Sequence, residues 1–204
     1  MAVKVFPTKA NLMNAKKSLE LAKLGYDLMD RKRNILIREM MLLIDKAGEV
    51  QQKIDSTYSQ AYAALQKANI TLGMCEEFSG ATPIDDGLKI DYRSVMGVEL
   101  PTVQLEDSKL DLRYGWTDTN SQLDEAYLRF DEVKKLTARL AEVESSVYKL
   151  ANAIKKTQKR ANALSNIIIP QFQETIKYIT EALEEKERED FSRLKVIKNQ
   201  KESE

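Results

Sequence analysis

The residues best placed to do chemistry in this 204-residue chain are two short groups of cations, Arg31-Lys32-Arg33 and Lys155, Lys156, Lys159 with Arg160. Their chemistry is attraction for acidic surfaces: both side chains carry charge and donate hydrogen bonds, and neither accepts one. Catalytic candidates are scarce. The sequence contains no histidine, so the commonest general base and metal ligand is missing. No GxxxxGK[ST] or other glycine-rich phosphate loop occurs, and no nucleotide site is expected. Cys75 is the lone cysteine; it can form no internal disulfide, which suits a reducing, cytoplasmic setting, and it reads as a small packed residue rather than a nucleophile. Carboxylate pairs such as Asp85-Asp86 and Glu184-Glu185 read as solvated faces. The expectation is a protein with no catalytic residue, no cofactor and no metal.

The elements that must position the cations are long helices. Leu12, Ala15, Leu19, Ala22, Tyr26, Met29 and Arg33 begin a stripe that continues in steps of three and four to Ala61, Ala64 and Ala68. Of its seventeen positions only Arg33 and Thr57 are polar. A mean step of 3.5 holds the stripe on one side of a slightly underwound helix, which must cover it against another helix. A second stripe runs from Leu123, Ala126, Phe130 and Val133 to Leu164 and Ile168, then past Pro170 to Phe172, Ile176, Ile179 and Leu183. The successive steps of four around Pro170 amount to a stutter. The first helix is expected to start at Pro7-Thr8, with Thr8 as cap, and to reach about Cys75. The second is expected to start near Ser121, as cap, with Asp124 and Glu125 in its first turn, and to reach about Lys198.

Between residues 73 and 115 lie five of the seven glycines and two of the four prolines, which mark a non-helical insert between the two helices. The chain therefore divides into a helix over 1–75, an insert over 76–120 and a helix over 121–204. Alternation at Leu88/Ile90/Tyr92 and Leu110/Leu112/Tyr114 predicts small strands with one packed face, with Val98–Leu100 and Val103–Leu105 as further short stretches. A two-stranded hairpin alone is barely stable, so the insert is expected to lean on the helices or on a partner, with Tyr114 and Trp116 as natural anchors for that contact. The fold class is mainly α: two very long helices, about 100 and 117 Å at 1.5 Å per residue, in an antiparallel left-handed coiled coil with a β-hairpin insert at the bend. The alternative is that each helix pairs with a second copy of the chain.

Pairing the two helices back from the bend puts Gly25 opposite the neighbourhood of Pro170, which suggests a shared bend or close approach. The same register sets Arg31-Lys32-Arg33 level with Lys155, Lys156, Lys159 and Arg160, as a positive collar able to meet acidic loops of a surrounding protein. The chain as a whole carries no net charge, with an acidic insert and basic stretches over 1–40 and 134–170. Zero net charge argues against nucleic acid and against an anionic membrane surface. The start MAVKVFPTKANL has no apolar core of a signal peptide, and runs such as Met40–Ile44 are too short to span a bilayer. A protein without direct membrane insertion, attached to a membrane assembly, is expected.

These residues resemble the D subunit of the V-type/A-type ATPases. The opening resembles the family's first helix in Pro7-Thr8, Gly25 and Lys32-Arg33. The C-terminal half is similar in Arg160, Asn162-Ala163-Leu164, Ile169-Pro170, Thr175-Ile176, Tyr178-Ile179 and Arg193-Leu194-Lys195. Ala161 departs from the valine of many members, which thins the seam without altering its role. An insert with Val95–Pro101 completes a likeness over essentially the whole chain. The resemblance implies a rotor shaft of the central stalk that hydrolyses nothing. It implies torque passed between a head of catalytic A and regulatory B subunits and the proton- or sodium-translocating ring. It also implies contacts with the small F subunit of the stalk and with the funnel-shaped coupling subunit above the ring. The rivals are a free-standing coiled-coil adaptor or scaffold, which would purify alone, and a membrane-shaping helical module, which would need a sustained basic face.

Overall fold

The computed structural model describes residues 6–74, 87–105 and 119–202. Helix α1 spans Lys9–Leu72, and local chemistry sets both its ends. The Thr8 hydroxyl accepts from the Asn11 N–H at 3.2 Å, satisfying a donor that has no partner within the helix. At the other end Gly73 takes φ 82°, and its N–H reaches the Asn69 carbonyl at 3.0 Å. This left-handed cap needs a residue without a Cβ, so the helix stops at Leu72 rather than at Cys75. Cys75 lies outside the described residues.

Helix α2 spans Ser121–Ala163. Its cap is Asn120, not Ser121: the Asn120 side-chain oxygen accepts from the N–H groups of Gln122 and Leu123, both at 3.2 Å. A π-helical segment, Leu164–Ile168, follows, and α3 then spans Ile169–Glu202, past the expected end at Lys198. No described helix is long and apolar enough to cross a membrane.

The chain falls into two compact units, one of Met1–Asn34 with Lys155–Glu204, the other of Ile35–Ile154. All seventeen predicted seam positions on α1, and every one on α2, the π segment and α3, are buried or half-buried. In the second unit α1 and α2 run antiparallel: Thr71 accepts from Asn120 Nδ2 at 2.9 Å, while Tyr58, earlier on α1, meets Thr137, later on α2, at 3.4 Å between hydroxyls. Ala61, Ala64 and Ala68 are buried on α1, as are Leu123 and Ala126 on α2. Beside them Phe130 meets the Tyr62 ring edge-on at 5.7 Å.

The insert holds one hairpin, β1 (Leu88–Val95) against β2 (Val98–Leu105), antiparallel, with Val95 opposite Val98. Met96 and Gly97 both have positive φ, 51° and 75°, the two-residue turn whose twist suits a hairpin. Strand β2 runs straight through Pro101, where the sequence suggests a break. In a two-stranded ribbon a proline can turn its missing N–H away from the partner strand. The expected strand at Leu110–Tyr114 lies outside the described residues.

The hairpin docks by the face opposite to the one predicted. Leu88, Ile90 and Tyr92 are exposed, while Leu100 is completely buried among Leu36, Leu43, Val143 and Leu150. Val95 and Val98 pack against the same cluster. Alternation identifies two faces but not which one points inward, and here polar contacts decide it. Arg93, across from Leu100, reaches Glu39 at 2.7 Å. The Val103 N–H donates to the Glu142 carboxylate at 3.1 Å, and the Ser146 hydroxyl donates to the Pro101 carbonyl at 3.5 Å. An otherwise open sheet edge is thereby covered.

Leu100→Ala leaves a cavity at the one fully buried hairpin side chain, a change that costs about 2–5 kcal/mol in a packed core. Hydrogen exchange is expected to accelerate across 88–105 and the thermal midpoint to fall. Exchange in the hairpin at the parental rate would contradict this docking. A second test concerns Asp131, held by Lys134 and Lys135 at 2.9 and 3.0 Å. Burial pushes its pKa up, but hydrogen bonds and charge from the two lysines prevail and hold the carboxyl below its ordinary value. A depressed folded pKa stabilises above the ordinary carboxylate range and is lost as pH falls through it. Asp131→Asn is therefore expected to lower the melting temperature at pH 7 and to change it little near pH 3.

Candidate partner interface

In the first unit α1 meets α2, the π segment and α3 in antiparallel order. Lys9 lies 3.0 Å from Glu187, Gly25 faces Leu164, and Arg33 donates to Gln158 at 2.8 Å. The last contact brings the two cationic groups to one level. Arg33 itself turns into the seam, as its place in the apolar stripe requires. Its guanidinium pairs with Asp30 as well as with Gln158. Gln158 in turn donates to Asn162 at 2.7 Å. A half-buried arginine with these partners has its charge matched, and it ties the helices together.

The remaining six behave differently. Arg31, Lys155, Lys156, Lys159 and Arg160 are exposed and Lys32 is half-exposed. Among the described residues none of them has a carboxylate within salt-bridge distance. Between Glu144 and Glu174 the sequence holds no acidic residue at all. A band of positive charge without salt bridges among the described residues results, braced from within by the Arg33 network. Tyr114 and Trp116, the aromatic anchors suggested by the sequence, lie outside the described residues.

Gly25 and Pro170 do not sit face to face. Pro170 stands inside a continuous helical run, directly after the π segment, where its missing N–H removes one rung of the ladder. The turn before it widens so that the Ile169 N–H bonds the Leu164 carbonyl, five residues back. A π turn of this kind takes up a residue out of phase with the helix, and it corresponds to the stutter in the sequence. It is this widened turn, at Leu164, that lies opposite Gly25. A Cβ built on Gly25 would stand 3.8 Å from Leu164 Cδ1, an ordinary contact, so close approach does not demand glycine.

The residues of this level, from the first stripe through Arg33 to Ile169-Pro170, fall inside a stretch that matches a family model. The model for the D subunit of ATP synthase covers residues 11–199. The chain belongs to the ATP synthase D subunit family. A V-type ATP synthase D subunit of Thermotoga neapolitana is 47% identical over 196 residues, 95% of this chain and 97% of the relative. An A-type ATP synthase D subunit of Pyrococcus abyssi is 36% identical, covering 96% and 94% of the two chains. One from Methanobrevibacter smithii is 37% identical, covering 95% and 86%. In this D-subunit chain, two long helical stretches with a small hairpin between them are the elements described above.

The face by which the hairpin docks, and Leu100 as its buried side chain, are the part that sequence reasoning missed. Its signal was present in Val95-Met96-Gly97-Val98, a two-residue turn between apolar runs. For the Gly25 level, the ordinary 3.8 Å contact that a Cβ would make with Leu164 sets a clear expectation. Gly25→Ala should raise stability by about 0.5–1 kcal/mol, the usual difference between alanine and glycine inside a helix. Urea unfolding of the full chain measures it, and a loss of stability would mean the level is tighter than its geometry indicates.

Proposed function

We propose that the chain is the torque-carrying shaft of a V/A-type rotary ATPase, with its six outward cations facing acidic loops of the catalytic A and regulatory B subunits. As a D subunit it is a non-catalytic stalk component of that ATPase. It works peripheral to the membrane on the cytoplasmic side. The small F subunit of the stalk sits along its side, and the funnel-shaped coupling subunit links it to the ion-translocating ring. A free-standing adaptor is not favoured, because the family match spans residues 11–199.

The observation that carries the reading is the band itself. Arg31, Lys32, Lys155, Lys156, Lys159 and Arg160 point outward at the level where the Arg33–Gln158 contact joins α1 to α2. Attraction between exposed charges acts over about 8–10 Å at physiological salt and needs no fixed docking pose. A shaft turning against a stationary head requires contacts of that kind. Beneath the band, a bonded seam lets the two helices turn as one body, so force applied to either is shared.

Replacing those six residues with Gln, while keeping Arg33, should lower ion pumping per ATP about threefold or more in reconstituted complexes. ATP hydrolysis and helicity should persist, since none of the six makes a salt bridge among the described residues and solvated surface charges contribute little to stability. Raising salt should reproduce the loss in the parental complex. The contrasting variant Arg33→Gln should instead lower the unfolding midpoint, because it breaks the seam network. Parental coupling in the six-fold variant would remove the band from the mechanism.

A further inference from the structure

The seam on the returning helices holds one residue more than its period needs. From Ala161 to Leu183 it passes Leu164, Ile168, Phe172, Ile176 and Ile179, six steps over 22 residues, whereas six steps averaging 3.5 cover about 21. The π turn at Leu164–Ile168 takes up the surplus. Ala161 before it and Ile179 beyond it are buried, at 1% and 0% exposure, so the stripe keeps one face on either side. This level is also where the helix pair is held least. Pro170 removes a rung directly after the wide turn. None of the five residues of the turn is buried, and Asn166 and Ile167 are exposed. Across the seam stands Gly25, which brings no side chain to grip Leu164 and itself loosens α1. Firm contacts lie to both sides: the Arg33–Gln158 hydrogen bond at 2.8 Å and the fully buried Ile179.

We infer that this level is a torsional joint: under torque the wide turn tightens or opens, and α3 rotates about its own axis against the end of α2. A π rung closes a longer loop of backbone than an α rung, and here one rung is missing as well. Twist applied to the chain therefore concentrates where the ladder resists least. Complete tightening to α geometry would swing the stripe of α3 by about 100°, one residue's share of a turn, and carry Ile179 out of the seam. The burial of Ile179 opposes that, so the turn yields partway and springs back. The role of the joint rests on the shaft reading and goes beyond it. It concerns how the shaft yields rather than what its surface meets, and it uses none of the six outward cations.

Hydrogen exchange in the full chain tests the joint without any rotation. Amides over 164–173 should exchange about tenfold or more faster than those of the helical turns on either side. Deleting Asn166 together with Pro170→Ala removes the surplus residue and restores the rung, and the seam then averages 3.5 residues per step. In that variant exchange over the stretch should slow to the rate of its neighbours, with no fall in melting temperature. Pro170→Ala alone should slow it partway. In the reconstituted ATPase, with the head fixed and a bead on the stalk, the thermal spread of the rotation angle should narrow about 1.5-fold or more in the deletion variant. Exchange over 164–173 no faster than in its neighbours overturns the inference. So does parental exchange in the deletion variant, a lower melting temperature there, or a parental angular spread. Each of these results leaves the shaft reading in place, because that reading stands or falls on ion pumping by the six-cation variant.

Discussion

A helix as long as α1 carries an apolar stripe too narrow to be wrapped by a globular core, and water penalises that stripe along its whole length. The only economical cover is a second helix with a stripe of the same period. That requirement explains why the seam positions on α1 and on the returning helices are all buried or half-buried. It also explains why many of them are small or half-exposed. Two helices make a thin interface, and only a few side chains, among them Leu36, Leu150 and Ile179, are wholly removed from water.

So thin a seam tolerates polar residues only when they are bonded. Arg33 is matched by Asp30 and Gln158, the buried Ser146 donates to the Pro101 carbonyl, and Thr57 donates to the Lys53 carbonyl. No buried side-chain nitrogen or oxygen among the described residues lacks a partner. These contacts do more than satisfy atoms. Apolar stripes can slide past one another at modest cost, whereas the Arg33–Gln158 bond is made in one register only. Where Pro170 would interrupt the ladder, the strain is taken up one turn earlier, and the seam continues on the same face to Ile179.

The hairpin adds a different kind of order. A two-stranded ribbon is marginal alone, and this one borrows the core of its unit through Leu100. Its ion pair with Glu39 and the Glu142 contact fix orientation rather than supply most of the stability. Folded this way, the chain gives its seam side chains to pairing and its hairpin to docking, and leaves a group of cations facing outward. A protein that acts by contact and transmission, without chemistry of its own, has that division of surfaces.

Much of this was legible in the residues themselves. Both stripes, the Thr8 cap, the breaker-rich insert and the stutter at Pro170 are local features, set by periodicity and by the conformations single residues allow. The family likeness was legible for the same reason, in short ordered motifs. What only tertiary structure decided were matters of facing and level. Asn120 rather than Ser121 caps α2, Arg33 meets Gln158 across the seam, and Leu100 rather than Leu88, Ile90 and Tyr92 is buried. In each case two local arrangements have nearly equal energy, and contacts with residues distant in the chain tip the balance. Sequence period says that a side must be covered; only the partner across the seam says which side.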